Sequence, residues 1–164
     1  YIRAHHVDLA EESGRANGND SLYGGAGNAI IHGQEGNDLI VGGTGHDTMS
    51  GGSGQDTFSY AAGDVVDGAS AGDTILDFDL GPDGDTLDLS ALLSGTSTDV
   101  EDYVSITNAS LGSGGTATFD VRIDQDGAGG DFDTHVATIT VTGVPAGADV
   151  DDVVTTMLTN NIDI

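Results

Sequence analysis

RANGNDSLY (15–23), GGAGNAIIH (24–32), GQEGNDLIV (33–41), GGTGHDTMS (42–50) and GGSGQDTFS (51–59) are five consecutive nonapeptides in one register. Position four is glycine in every unit (Gly18, Gly27, Gly36, Gly45, Gly54). Position six is aspartate in four of them (Asp20, Asp38, Asp47, Asp56), and position eight is always apolar (Leu22, Ile31, Ile40, Met49, Phe58). Glycine adopts the left-handed dihedrals that bulkier residues avoid, so six residues rich in it can wind a tight turn with carbonyl oxygens pointing inward. The last three residues of each unit form a short strand whose middle side chain faces a core, by the period-two rule of strands. Two units then make one coil of a flattened helix, and unit n stacks on unit n+2. The fold class expected is mainly β: a parallel β-roll, followed by a β-rich C-terminal capping region with one terminal helix.

Stacking puts Asp20, Asp38 and Asp56 in a row along one edge of the roll and Asp47 on the other. The surrounding composition sharpens the electrostatic problem. The 164 residues hold 28 acids against three arginines and no lysine, a formal charge of −25, and 27 glycines. Such a chain repels a phosphate backbone, which excludes nucleic acid as a partner. No stretch approaches the ~20 apolar residues of a membrane span. Without cysteine there is neither a disulfide framework nor a thiolate metal site. Rows of carboxylates and carbonyls call for a hard, oxygen-seeking cation between consecutive turns, and calcium suits this ligand set better than magnesium. Zinc would want His or Cys. The candidate ligands are the four repeat aspartates and the turn residues Ala16, Gly18, Gly25, Gly27, Gly33, Gln34, Glu35, Gly36, Gly42, Gly43, Thr44, Gly45, Gly51 and Ser53. Several calcium ions are expected. A glycine-rich flexible linker is the alternative, but a linker needs neither an Asp phase nor an apolar residue every ninth position. Three units depart from the pattern. Ala29 replaces the Asp of the second, Arg15–Ala16 replace the glycine pair of the first, and Gln34 replaces the second glycine of the third. A weakened or empty site is therefore expected beside Gly25, Gly27 and Asp47.

The nonapeptide resembles the GGxGxDxUx repeat of RTX (repeats-in-toxin) proteins, a calcium-binding parallel β-helix pattern. Residues 60–90 (YAAGDVVDGASAGDTILDFDLGPDGDTLDLS) resemble the segment that closes the roll in secreted RTX proteases and adhesins, through DTILDF and GDTLDLS. Read from the residues, Ile75, Leu76 and Phe78 alternate with Thr74 and Asp77, and Leu87 and Leu89 with Asp88. This gives two short strands around a Gly81-Pro82-Asp83-Gly84 turn. Asp64 lies 17 residues past Asp47 and Asp73 lies 17 past Asp56. Both are close to one coil, so they are expected to complete the last site on each edge. Asp77, Asp79, Asp85 and Asp88 are further candidates, at least half of them expected to be solvated.

The flanking segments differ in texture. Residues 1–14 read as an approach segment, a capping strand or frayed helix. The neighbouring His5 and His6 are suggestive of a transition metal only if a third ligand lies nearby. The chain begins at Tyr1 without a methionine or signal pattern, and is read as a fragment of a longer protein. Residues 91–164 form a separate β-rich region, with strands expected at 103–108, 116–123 and 136–141 from β-branched content and alternation. Between the last two, DQDGAGGDFD (124–133) is either a calcium loop using Asp124 and Asp126, with Asp131 and Asp133 beside them, or a solvated hairpin tip. A helix is expected over 149–160, with Asp149, Asp151 and Asp152 at its positive end and an apolar stripe of Val150, Val153, Val154, Met157 and Leu158.

Together these segments are similar to the C-terminal target region of giant RTX adhesins exported by type I secretion. That resemblance implies an uncleaved export signal, an ABC exporter as partner, and release at the cell surface of a Gram-negative bacterium; a monomer is expected. No GxSxG, HExxH or cysteine nucleophile appears, and His5, His6, His32, His46 and His135 share no metal-binding spacing, so catalysis is not expected. The tail of a secreted protease or lipase is one alternative. A ligand-binding face is another, though Thr44, Thr48 and Thr57 form no matched ladder.

Overall fold

The computed structural model describes residues 2–3, 10–13, 18–65, 72–82, 84–93, 99–125, 132 and 134–164. Alternation between two sheets organises the repeats. Strands β1 (Ile2–Arg3), β3 (Ser21–Ala26), β5 (Leu39–Thr44), β7 (Thr57–Ser59), β9 (Thr86–Asp88) and β13 (Ile162–Asp163) lie side by side in one parallel sheet. The second sheet holds β2 (Ala10–Ser13), β4 (Ala29–Glu35), β6 (Thr48–Ser53) and β8 (Asp73–Asp79), all parallel. It then continues through β12 (Thr134–Thr142), parallel to β8, and on through β11 (Ala117–Ile123) and β10 (Val104–Leu111), each antiparallel to the strand before it. Pairing of Leu22 with Ile40, Ile40 with Phe58, and Ile31 with Met49 sets a register of two nonapeptides per coil. The molecule is a parallel β-roll.

The strands run longer than the sequence pattern suggests. β3, β5 and β6 each have six residues and reach the third position of the following unit, where Gly25 pairs with Gly43 and Ala26 with Thr44. The glycine pair stays within the parallel ladder, and the turn proper shrinks to positions four to six. Gly25, Gly43 and Gly52 carry φ of 94°, 94° and 98°, a region hostile to side chains. Gln34 stands at the same place in its unit with φ 82°.

Each repeat strand sends its position-eight apolar side chain between the sheets, and β8 sends two. Leu22, Ile31, Ile40, Met49, Phe58, Ile75, Phe78 and Leu87 are fully buried there, and the Phe58 and Phe78 rings sit 5.8 Å apart. Burying such side chains contributes ~1.5–3 kcal/mol apiece. In β8, Ile75 faces Ile139 while Phe78 faces Val141, so three residues of β8 oppose two of β12. Alternation from Ile75 points Leu76 outward, 45% exposed, and the bulge that follows brings Phe78, in place of Asp77, into the core. The two strands 73–79 and 86–88 do not form a hairpin with each other; they add one coil, one strand to each sheet.

Beyond the roll, α1 (Val150–Thr156) packs on β10 and closes the core around Tyr103, Phe119, Val121, Val153 and Met157. Asp149 caps it: its carboxylate accepts from the Asp152 N–H and the Asp152 carboxylate accepts from the Asp149 N–H, both at 3.0 Å. The helix widens into a π-helical turn, Met157–Asn161, before β13. No helix is long and apolar enough to cross a membrane among the described residues.

Candidate metal centre

The residue before each repeat strand builds the site. The N–H of Asp20 donates to Asp38 Oδ1 at 2.7 Å, that of Asp38 to Asp56 Oδ1 at 2.8 Å, and that of Asp56 to Asp85 Oδ1 at 2.9 Å. On the opposite edge the N–H of Ala29 donates to Asp47 Oδ1 at 2.7 Å and that of Asp47 to Asp73 Oδ1 at 2.8 Å. Backbone bonds return across the same steps, from the N–H of Leu39 to the Asp20 carbonyl and from that of Thr57 to the Asp38 carbonyl. With Thr74 on the Asp47 carbonyl and Thr86 on that of Asp56, each step between two aspartates is stapled twice.

Two expected placements change. Asp73 lies on the row of Asp47, 26 residues on, not on that of Asp56. Asp85 takes the place on the Asp56 row, 29 residues on. Asp64 accepts from the Ala61 N–H at 2.7 Å and sits close enough to Asp47 and Asp73 to raise both carboxyls.

These carboxylates are buried with spare oxygens. Asp38, Asp47 and Asp56 are 2%, 1% and 1% exposed, and the Oδ2 of each has no hydrogen-bond partner. Each orphan oxygen faces the first glycine of its own unit. A Cβ on Gly33 would collide with Asp38 Oδ2 and with the Gly51 carbonyl oxygen one coil on; Cβ atoms on Gly42 and Gly51 would collide with Asp47 and Asp56. The glycines keep open a hollow lined by one carboxylate oxygen and by carbonyls. At Gly24 the equivalent space is met by the Ala29 methyl, so that hollow lacks its carboxylate.

Burial is the largest cause of the perturbed acidity. It pushes Asp56 to about 6 and Asp73 and Asp85 to about 7, and raises Asp38, Asp47 and Asp77, with neighbouring carboxylates adding to it. Tyr60, fully buried beside Asp73, has its phenol raised well above the usual range, by burial first. Among the described residues no three His, Asp or Glu side chains cluster tightly enough to hold a metal alone. A cation here must draw on backbone carbonyls as well. An all-oxygen donor set with orphaned buried carboxylate oxygens fits calcium.

The remaining candidates divide. Gly18, Gly25, Gly27, Gly33, Gly36, Gly42, Gly43, Gly45 and Gly51 lie in the repeat turns and adjoining strand ends, with Gln34, Glu35, Thr44 and Ser53 exposed among them. Asp124 is buried, its N–H donating to the Tyr103 carbonyl at 2.9 Å. Ala16, Asp126, Asp131 and Asp133 lie outside the described residues, as do the side chains of His5 and His6. His32 and His46 face solvent.

Three features escaped the sequence reading. Outside each turn Asn19 Oδ1 accepts from the Asn37 N–H (2.9 Å), Asn28 from that of His46 (3.0 Å), and Asn37 from that of Gln55 (3.1 Å). The signal was Asn at position five of three units. Asp77 accepts the N–H groups of Gly51 and Gly52 at 2.9 and 3.1 Å, ending the ladder where no further glycine turn follows. Asp73 was expected to close a row, but its place on the Asp47 edge and the closing role of Asp85 were missed, though the local phase Asp-Thr-apolar, shared by DTM, DTF, DTI and DTL, carried the signal.

The family model "RTX calcium-binding nonapeptide repeat (4 copies)" matches residues 16–39, 32–67 and 42–75. No curated protein matches the chain. Among solved structures, the chain is similar to the solution structure of the AlgE6R3 subunit from the Azotobacter vinelandii mannuronan C5-epimerase. The identity is 29%, with 89% of this chain and 77% of that one covered and a TM-score of 0.51. The AlgE6R2 subunit of the same enzyme shows 23% identity over 90% and 91% of the two chains, with a TM-score of 0.46.

Proposed function

We propose, from the match of residues 16–75 to the RTX calcium-binding nonapeptide repeat, that the chain is a calcium-dependent folding and export module, non-catalytic itself, carried at the C-terminus of a large extracellular adhesin. One observation carries this reading: three buried carboxylate oxygens without partners, in rows of like charge. Self-repulsion in a chain of charge −25 weakens its folded state until cations neutralise the rows. It stays threadable through a narrow ABC exporter where calcium is scarce and folds outside where calcium is plentiful. Binding stabilises only the folded form, so folding opposes back-sliding. Residues 60–90 close the roll, and 91–164 supply the secretion target region. The localisation that follows is secreted, at the surface of a Gram-negative cell, as a monomer.

A second reading makes the module the tail of a secreted enzyme, whose active site lies in other residues. It is favoured by the likeness to a repeat subunit of an epimerase. Long tandem domains upstream would support the adhesin, a catalytic domain the enzyme. The folding claim is tested by far-ultraviolet circular dichroism with calcium added and then chelated. Strand signal and thermal midpoint must both fall on chelation; unchanged spectra would overturn it.

A further inference from the structure

Buried Asn161, 0% exposed, is remote in sequence from the repeats but not in space. Its Nδ2 donates to the carbonyls of Asp85 (2.7 Å), Gly81 (3.1 Å) and Asp79 (3.5 Å), and its Oδ1 accepts from the Gly81 N–H at 3.0 Å. One side chain from the last turn of the C-terminal helix therefore ties Asp79, Gly81 and Asp85 together. That loop has its own closure, with the N–H of Asp85 on the Asp79 carbonyl at 2.9 Å and that of Asp79 on Asp85 Oδ2 at 2.9 Å. The other oxygen of Asp85 holds the N–H of Asp56. The neighbouring Asp56 Oδ2 is the orphan atom facing Gly51. β13 follows at once, pairing Ile162 with Leu87.

The π-helical widening over 157–161 aims Asn161 inward; such turns recur at functional positions. In the row of Asp20, Asp38 and Asp56, the carbonyl of each aspartate accepts an N–H from the next coil, Leu39 on Asp20, Thr57 on Asp38 and Thr86 on Asp56. Asp85 has no further glycine turn beyond it, and Asn161 supplies that missing support.

We infer that Asn161 is a positioning residue for the calcium site that Asp56 and Asp85 share. Filling that site and docking the C-terminal helix are one coupled event. The inference rests on the reading that the aspartate rows bind calcium. Coupling is reciprocal: a docked helix tightens the site, and an occupied site holds the helix.

The test is calcium titration of the full chain, counting ions by native mass spectrometry and resolving affinities by calorimetry. Asn161→Ala leaves the loop carbonyls without their donor. Asn161→Asp keeps the acceptor but sets a charge against those carbonyls. Each is expected to weaken a single ion by roughly 10–100-fold, the usual cost of losing an outer-shell partner, with the other ions at wild-type affinity. A purely structural role would weaken all ions together, and that result overturns the inference, as does an unchanged titration. A wild type that binds no calcium fails the reading beneath it instead. Should the variants not fold, hydrogen exchange on the wild type decides. Amides 153–157 must gain protection in the same calcium step as the Asp56 amide; helix protection before that step overturns the coupling.

Discussion

Replacing Asp38 by alanine isolates what a row aspartate contributes. In the folded chain its Oδ1 holds the Asp20 N–H at 2.7 Å, its own N–H reaches Asp56, and its Oδ2 lines the Gly33 hollow. Truncation leaves a part-buried N–H unpaired, at about 1–3 kcal/mol. It also removes a calcium ligand, and losing one ion costs about 2.7 kcal/mol when calcium stands a hundredfold above its dissociation constant. The sum, about 4–6 kcal/mol, corresponds to a fall in midpoint of roughly 10–20 °C for a domain of this size. Thermal unfolding in excess calcium, compared with Asp20→Ala at the head of the described row, is the assay. Asp38→Ala should be the worse of the two and should lose at least one bound ion. In EDTA the ion's share vanishes, so the variant should then differ from wild type only by the hydrogen bond. An equal loss with and without calcium would refute the claim that this carboxylate holds a cation.

Without calcium, stability should fall as pH rises. Asp56, Asp73 and Asp85 have folded-state values of about 6, about 7 and about 7, above the unfolded value of 3.8. The folded state then binds more protons between roughly pH 4 and 7, so stability is highest at the acidic end and levels off above pH 7. Urea unfolding in EDTA at pH 5 and pH 8 checks the sign, and calcium affinity should run the opposite way because protons compete for the same oxygens. Ala29→Asp should place a carboxylate in the hollow beside Gly24 and raise the calcium count by one, read by native mass spectrometry; an unchanged count would contradict the construction of that hollow.

The roll itself was legible because glycine, aspartate and an apolar residue recur with one period, and that period fixes both the register and the alternation of edges. Asp20, Asp38 and Asp56 fell into line for that reason. Counting failed where the nonapeptides stop. Between β7 and β8, and between β8 and β9, the connections have their own lengths, so Asp73 and Asp85 reach their rows through strand pairing, not spacing. Thr74 pairs with Thr48, and Thr86 with Thr57, which carries the preceding aspartates with them. The bulge that brings Phe78 inward was invisible because it depends on β12, a strand more than fifty residues away. Asn161 carried no signal at all: a lone asparagine at a helix end becomes meaningful only when the loop it grips is known.

The alternation of successive units between two sheets imposes a parity on the chain. Deleting one nonapeptide would send every later strand to the opposite sheet. Asp73 and Asp85 would exchange edges, and β12 would meet a neighbour of the wrong phase. Removing two keeps each strand on its own side and only shortens the stack. Such modules can therefore gain or lose regular repeats only in pairs, eighteen residues for each coil like that between Asp38 and Asp56. Frame-preserving duplications of any other size would have to arise together with a compensating rearrangement of the closing loops, so the end of the roll acts as a ratchet on how the repeats evolve.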